Sequence, residues 1–240
     1  MKIIAVIPAR AGSKRLPGKN IKKLGPWPLL AWSIKGALII KAFDRVIVST
    51  EDPAIAETAK DHGAEIPHLR SAHLATDQAH VEDVLVEVLD WVKQDEGSLP
   101  DGVMLLQPTS PFRRKQSILK SITLFKEHGE SVVSVSPTKI HPYWCKTVSP
   151  DGELLPFTED TPDIRRTQDL PPVYQLNGMI YLAKSDTLIQ GKTLYSDHTR
   201  ALIADDPFET VDIDTQLDWL TAETIWKNQK DQLLKYFGEP

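Results

Sequence analysis

The amino-acid sequence predicts an α/β fold in which a mostly parallel sheet is flanked by helices. Short apolar runs such as Ile3–Ile7, Arg45–Thr50 and Gly102–Leu106 have the length and composition of strands buried on both faces. Stretches of helical period separate them, as the crossover between parallel strands requires. With 240 residues, 41% hydrophobic and 25% charged side chains, the chain can bury one sizeable core, which excludes disordered, collagen-like and disulfide-scaffold classes.

The elements follow in order. Ile3–Ile7 is the first strand, and a polar loop runs from Ala9 to Lys19. Leu29–Ile40 is a helix and Arg45–Thr50 the next strand. Pro53 opens a helix, since its fixed φ suits the first turn, and Gly63 provides the exit before a short strand at Glu65 and Ile66. Val84, Leu85, Val88, Leu89 and Val92 recur at helical spacing within His80–Lys93, and Gly102–Leu106 is again a strand. A helix over Lys115–His128 leads to a strand over Ser131–Val135. Seven prolines then fall between Pro137 and Pro172, so this stretch is an insertion of hairpins and loops. Strands over Gly178–Leu182 and Ala201–Ala204 follow, and a helix from about Thr215 to Lys227 closes the pattern.

Composition limits the partners. The formal net charge of −5 gives no sequence-wide basic field for nucleic acid, and no apolar run approaches the ~20 residues that cross a bilayer. The single cysteine, Cys145, can form neither an internal disulfide nor a cysteine zinc site, and it reads as a packing residue in a cytoplasmic protein. The seven histidines show no metal-binding spacing, and no Gly-x-Ser-x-Gly elbow is present. Trp27, Trp32, Trp91, Trp219 and Trp226 fall among helical apolar positions and read as core or interface.

Open parallel sheets bind ligands beyond the carboxyl ends of their strands. The loop after the first strand reads Ala9-Arg10-Ala11-Gly12-Ser13-Lys14-Arg15-Leu16-Pro17-Gly18-Lys19-Asn20. Glycines let backbone N–H groups approach an anion and the four cations neutralise phosphate charge, so a phosphate site outweighs a solvated surface loop. It is not a Walker A motif: five residues separate Gly12 from Gly18-Lys19, and Asn20 stands where a magnesium-holding Ser or Thr would be. G-x-G-x-x-G is absent too.

Val211-Asp212-Ile213-Asp214-Thr215 carries two carboxylates that alternation puts on one side, where they could share Mg2+. Asp214 could equally cap the last helix, and the same short motif occurs in metal-dependent glycosyltransferases that use nucleotide sugars. Leu105-Leu106-Gln107-Pro108-Thr109-Ser110-Pro111-Phe112-Arg113 ends a strand with an amide that could read a ligand edge, or with prolines that only stop the strand.

In combination, this loop, the R-S-x-x-L-A-x-D stretch from Arg70 to Asp77, L-L-Q-P-T-S-P-F-R, L-P-P-V-Y-Q-L-N-G-M-I-Y and the late D-I-D resemble, in order over about residues 2 to 226, the N-acylneuraminate cytidylyltransferases, or CMP-sialic acid synthetases. The resemblance implies a Rossmann-like domain of the nucleotide-diphospho-sugar transferase type spanning 1–240, with 137–174 as a dimerisation insertion and a homodimer as the assembly. It implies that CTP and a nine-carbon 2-keto sugar acid give a CMP-sugar and pyrophosphate, with Mg2+ required. Carried over by position, Arg10, Ser13, Lys14, Lys19, Asn20 and Arg70 bind the nucleotide. Gln107, Lys146, Arg166, Gln175 and Tyr181 face the sugar acid, and Asp212 and Asp214 hold the metal. Attack on the α-phosphorus needs positioning and charge neutralisation, which gives Arg10 and Lys19 catalytic roles and makes Asp214, directly or through metal-bound water, the candidate proton acceptor.

Some positions depart from the sialic acid pattern. Gln175 and Thr167 stand where arginines are usual, although Arg165 and Arg166 are adjacent, and His80 replaces a small hydroxyl residue. Glutamine cannot pair with a carboxylate bidentately, so legionaminic or pseudaminic acid stay open as acceptors, the Q-P-T-S-P segment resembling the sialic and legionaminic enzymes more. The alternatives are a nucleotide-sugar glycosyltransferase and a CMP-Kdo synthetase-like enzyme using an eight-carbon acid. Of the 18 prolines, Pro8, Pro17, Pro108 and Pro111 border the loops assigned to substrates, where they restrict loop freedom before binding.

Overall fold

In the computed structural model, which describes residues 1–158 and 166–237, the chain alternates strand and helix as its periodicity predicts. The strands are β1 (Ile3–Pro8), β2 (Lys23–Leu24), β3 (Trp27–Pro28), β4 (Arg45–Ser49), β5 (Gly102–Leu105), β6 (Val132–Pro137), β7 (Lys146–Val148), β8 (Leu154–Pro156), β9 (Tyr174–Lys184) and β10 (Arg200–Ile203). The helices are α1 (Leu29–Ile40), α2 (Pro53–Asp61), α3 (Val81–Glu96), α4 (Lys115–His128), α5 (Ser185–Gly191) and α6 (Gln216–Phe237).

Six strands form one sheet in the order β10-β6-β9-β5-β1-β4. All neighbours are parallel except β9, which runs antiparallel between β5 and β6. The two faces of β1 show why the sheet is buried on both sides. Ile3, Ala5 and Ile7 pack with Leu30, Ile34 and Ala37 of α1 and with Ile118, Ile122 and Phe125 of α4, whereas Ile4 and Val6 pack with Leu85, Val88 and Val92 of α3. Each of the Ile, Leu, Val and Phe side chains among these, fully withdrawn from water, contributes about 1.5–3 kcal/mol.

A third cluster joins the start of α1 to the chain's end. Trp32 is fully buried, meets Trp27, Phe112 and Trp226 edge-on at 4.9, 5.3 and 5.3 Å, and donates its indole N–H to the Leu24 carbonyl at 3.0 Å. Ile213 and Trp219 belong to the same cluster, which presses the acidic segment and α6 against the basic loop.

Several elements differ from the sequence expectation. The segment at Glu65 makes only one bridge to Ile47 and not a strand. His80 is the N-cap of α3 rather than part of it. The last helix continues past Lys227 to Phe237 across a kink at Gln229, and α5 was not anticipated. The strand read at Gly178–Leu182 is longer and antiparallel. It starts at Tyr174 and its pairing with β6 shifts between Val133 and Val135. In the insertion the described residues form a hairpin, β7 with β8, and short 3-10 turns. Arg165 and the side chain of Thr167 lie outside the described residues. Among the described residues no helix is long and apolar enough to cross a membrane.

Candidate active site

A pocket of about 420 Å3 opens beyond the carboxyl ends of β1 and β5, where the order reverses between neighbours β4 and β5 of β1. Arg10, Ser13, Lys14, Lys19, Asn20, Gln107, Asp212 and Asp214 all line it, so residues from three distant segments meet there.

The basic loop is held at both ends. The Asn20 side-chain amide donates to the Arg10 carbonyl at 2.9 Å, and Asn20 is itself buried. The Ala11 N–H donates to Glu51 Oε1 at 2.8 Å. Gly18 takes φ +66°, a left-handed conformation that starts the 3-10 turn carrying Lys19 and Asn20.

Two carboxylates grip the loop's cations. Asp77 accepts from Arg10 Nη1 at 2.7 Å and from Lys14 Nζ. Those bonds, Lys14's foremost, hold its carboxyl below the ordinary carboxylate range. Asp214 accepts from Lys19 Nζ at 2.9 Å and from Arg15 Nη2 at 2.7 Å. Asp212 opens to solvent through the pocket mouth but is otherwise walled by protein, and this desolvation, with Asp214's like charge, raises its pKa although Thr109 hydrogen-bonds it.

Asp214 is not the cap of α6. The Thr215 hydroxyl accepts from the Asp218 N–H at 3.3 Å, while Asp218 Oδ2 accepts from Thr215 N and Oγ1, both at 2.7 Å, and from Asp214 N at 3.1 Å. This reciprocal capping box leaves the Asp214 carboxylate facing the pocket. The Ile213 N–H donates to the Thr109 carbonyl at 2.9 Å, tying the acidic segment to the end of β5.

On the other wall, Gln107 Nε2 lies 3.4 Å from the Gly178 carbonyl. There β9 bulges over Ser134, whose hydroxyl donates to Asn177 Oδ1 at 2.5 Å and accepts from the Ile180 N–H at 2.8 Å. Gly178 sits at φ +72° in the bulge, which explains the N-G pair: a side chain there would be strained. Asn177 Nδ2 is buried with no hydrogen-bond partner among the described residues. Tyr181, half-buried on β9 opposite Leu105, is not among the residues lining the pocket and packs against the core beside it; burial raises its pKa, with Asp212 among the nearby negative charges.

Arg70 does not reach the main pocket. Its buried guanidinium donates to Ser49 Oγ at 3.0 Å and to the Ser49 carbonyl, and it walls an adjoining cavity of about 250 Å3 shared with Arg10 and Asp77. Lys146 is exposed on β7, Arg166 is exposed and pairs with Asp169 at 2.8 Å, and Gln175 lines a separate cavity of about 330 Å3 with Ser136 and Lys139. Sequence reasoning missed Arg15, Glu51, Asp77, Thr109 and Asn177 as site residues. Arg15 and Asp77 lie in segments already singled out, but the ion pairs that give them meaning join segments 199 and 67 residues apart.

The sequence pattern of the cytidylyltransferase family matches residues 4–218. CMP-N,N'-diacetyllegionaminic acid synthase of Legionella pneumophila is 41% identical over 234 residues, covering 98% of this chain and 100% of that protein. The N-acylneuraminate cytidylyltransferase of Streptococcus agalactiae serotype V is 32% identical over 223 residues, 92% of this chain but 52% of that longer protein. The structure of CMP:2-keto-3-deoxy-manno-octonic acid synthetase complexed with CTP shares the fold, with a TM-score of 0.69 at 19% identity over 95% of this chain and 100% of that one. Between the nucleotidyl-transfer and glycosyl-transfer readings of the acidic motif, the family decides for the first. The chain belongs to the cytidylyltransferase family, and is a nucleotidyltransferase enzyme.

Proposed function

We propose that the protein transfers CMP from CTP to the anomeric hydroxyl of a nonulosonic acid, a nine-carbon 2-keto sugar acid, and releases pyrophosphate. The observation that carries this reading is the pocket in which Arg10, Lys14, Arg15 and Lys19 converge opposite Asp212 and Asp214. Cations on that scale suit a triphosphate whose β- and γ-phosphates leave as pyrophosphate. The legionaminic relative, similar along the full length of both chains, makes N,N'-diacetyllegionaminic acid the first acceptor to test.

In this reading Arg10, Ser13, Lys14, Lys19 and Asn20 bind the nucleotide, and Arg70 supports them from the adjoining cavity. Lys19 and Arg10 stabilise charge developing on the phosphates, and Asp214 takes the hydroxyl proton. Gln107 and Tyr181 face the acceptor. Tyr181, Lys146, Arg166 and Gln175 are not among the residues lining their own chain's pocket; Tyr181 stands beside it on β9 opposite Leu105, and a second copy is proposed to present the other three.

Asp212 and Asp214 fit Mg2+. They are hard oxygen donors on one pocket wall and Mg2+ is commonly held by one or two carboxylates together with substrate phosphates, but both Asp214 oxygens are paired with Lys19 and Arg15 here, so Mg2+ would displace at least one of these cations toward the phosphates. When bound there it would supply charge neutralisation between the two reactants. A homodimer built on 137–174 is part of the same proposal, supported by Val148, Leu154 and Phe157, which the hairpin exposes at 66, 71 and 64% of their surface. A cytoplasmic location matches the lone cysteine and the use of CTP. Pyrophosphate release from CTP, Mg2+ and a panel of nonulosonic and octulosonic acids tests the function. Release with at least one nonulosonic acid is expected, and none from the folded protein would overturn it.

A further inference from the structure

Arg113 is a guanidinium buried in the middle of the protein, 3% exposed, with no carboxylate of the described residues in ion-pair contact. Glu209 and Asp212 are the charged groups that face it, at longer range. Burying such a charge unpaired costs several kcal/mol, and an apolar side chain of similar volume would fill the space more cheaply. Its hydrogen bonds show what it does instead.

Nε donates to the Met179 carbonyl at 2.6 Å, Nη1 to Ser33 Oγ at 2.9 Å, and Nη2 to the Gln107 carbonyl. The Ser33 hydroxyl in turn donates to the same Gln107 carbonyl at 3.3 Å. One planar fork thus joins α1, the last turn of the chain leaving β5, and the bulge of β9. The last two are the segments that carry Gln107 on one side and Asn177 and Tyr181 on the other. Lysine, a point charge on a flexible stem, cannot hold three acceptors in fixed directions.

Arg113 is itself anchored. The next residue, Arg114, donates its backbone N–H and Nε to the buried Glu209 at 2.6 and 2.8 Å, and Ser117 Oγ donates to Glu209 at 2.8 Å. The guanidinium has a fixed base and reaches inward from it.

We propose that Arg113 is a positioning residue for the acceptor half of the pocket, fixing through the Gln107 and Met179 carbonyls how the Gln107 side chain and the Asn177–Tyr181 bulge meet the sugar acid. This rests on the nonulosonate reading given above. It acts on the acceptor and leaves the triphosphate loop, which is held by Asn20 and Glu51, in place.

The test is steady-state kinetics of Arg113→Lys and Ser33→Ala on the nonulosonic acid that the wild type turns over, with CTP binding measured by calorimetry. Misplacement of the wall predicts an acceptor KM raised about tenfold in Arg113→Lys, and less in Ser33→Ala, with the CTP Kd within about twofold of wild type. A merely structural role would lower the melting temperature without separating the two substrates. An unchanged acceptor KM in Arg113→Lys, or CTP affinity falling in parallel with it, overturns the proposal. Should Arg113→Lys not fold, Ser33→Ala decides by the same separation. A wild type silent on every acid overturns the substrate reading and this proposal with it, whereas an active wild type with unaltered variants overturns Arg113 alone.

Discussion

Lys19 Nζ sits 2.9 Å from Asp214 Oδ1 and 3.0 Å from the Ile213 carbonyl, joining the basic loop to the acidic segment 195 residues later. Its side chain is only 13% exposed, so this contact is less screened than a surface pair. In the proposed reaction the same two groups meet the phosphates and the attacking hydroxyl. Lys19→Ala and Asp214→Asn are each expected to reduce kcat about 100- to 1,000-fold, with circular dichroism unchanged. Because the two act as a unit, the double variant should lose far less than the product of the single losses. Multiplicative losses would show that they act independently.

Asp77 occupies Arg10 and Lys14 in this structure, and a phosphate would compete for both. Asp77→Asn removes the competing charge, so pyrophosphate and CTP should bind several-fold more tightly by calorimetry, with a steeper dependence on salt. Weaker binding would assign Asp77 to ordering the loop instead of blocking it.

The capping box at the start of α6 gives a stability prediction. Hydrogen bonds from Thr215 and from the Thr215 and Asp214 backbone hold the Asp218 carboxyl below its ordinary pKa. Its folded pKa lies below the unfolded value, near 4, so the stabilisation is complete above about pH 4 and is lost as the pH falls through the folded value. Asp218→Ala should cost about 1 kcal/mol at pH 7, read by denaturant unfolding, and the gap to wild type should close on acidification. A gap constant down to pH 2 would contradict this origin.

The exposed apolar hairpin predicts that Val148→Glu with Leu154→Glu converts a dimer to a monomer in light scattering, with the melting temperature of the remaining domain nearly unchanged. A wild type already monomeric at working concentration would show that the hairpin does not build a homodimer.

Much of this was legible in the residues. Leu29–Ile40 is a helix to the residue: Pro28 marks its start, and the end falls at Lys41, which takes φ +52° although lysine as a residue type favours helix. The basic loop and D-I-D stand where a strand-end site needs them. Other features depended on contacts that no local pattern carries. The bulge at Asn177–Gly178 interrupts the two-residue alternation of β9, so only its regular half reads as a strand. The polar run Asn228-Gln229-Lys230-Asp231 weakens the period of α6 just where the helix kinks. The pairing of Arg15 with Asp214 spans 199 residues, and the choice of Thr215 over Asp214 as cap turns on which way each side chain points. Arg113 was visible only as the end of a strand-terminating motif, its burial and three acceptors being products of packing.

In the proposed reaction this pocket joins CMP to a nonulosonic acid. The most direct measurement incubates the protein with CTP, Mg2+ and N,N'-diacetyllegionaminic acid, and follows pyrophosphate and the CMP-sugar together by mass spectrometry. Stoichiometric formation of both, abolished by omitting the acid, is the predicted result. Pyrophosphate without a CMP-sugar, or neither product with any nonulosonic acid on a folded protein that binds CTP, would contradict it.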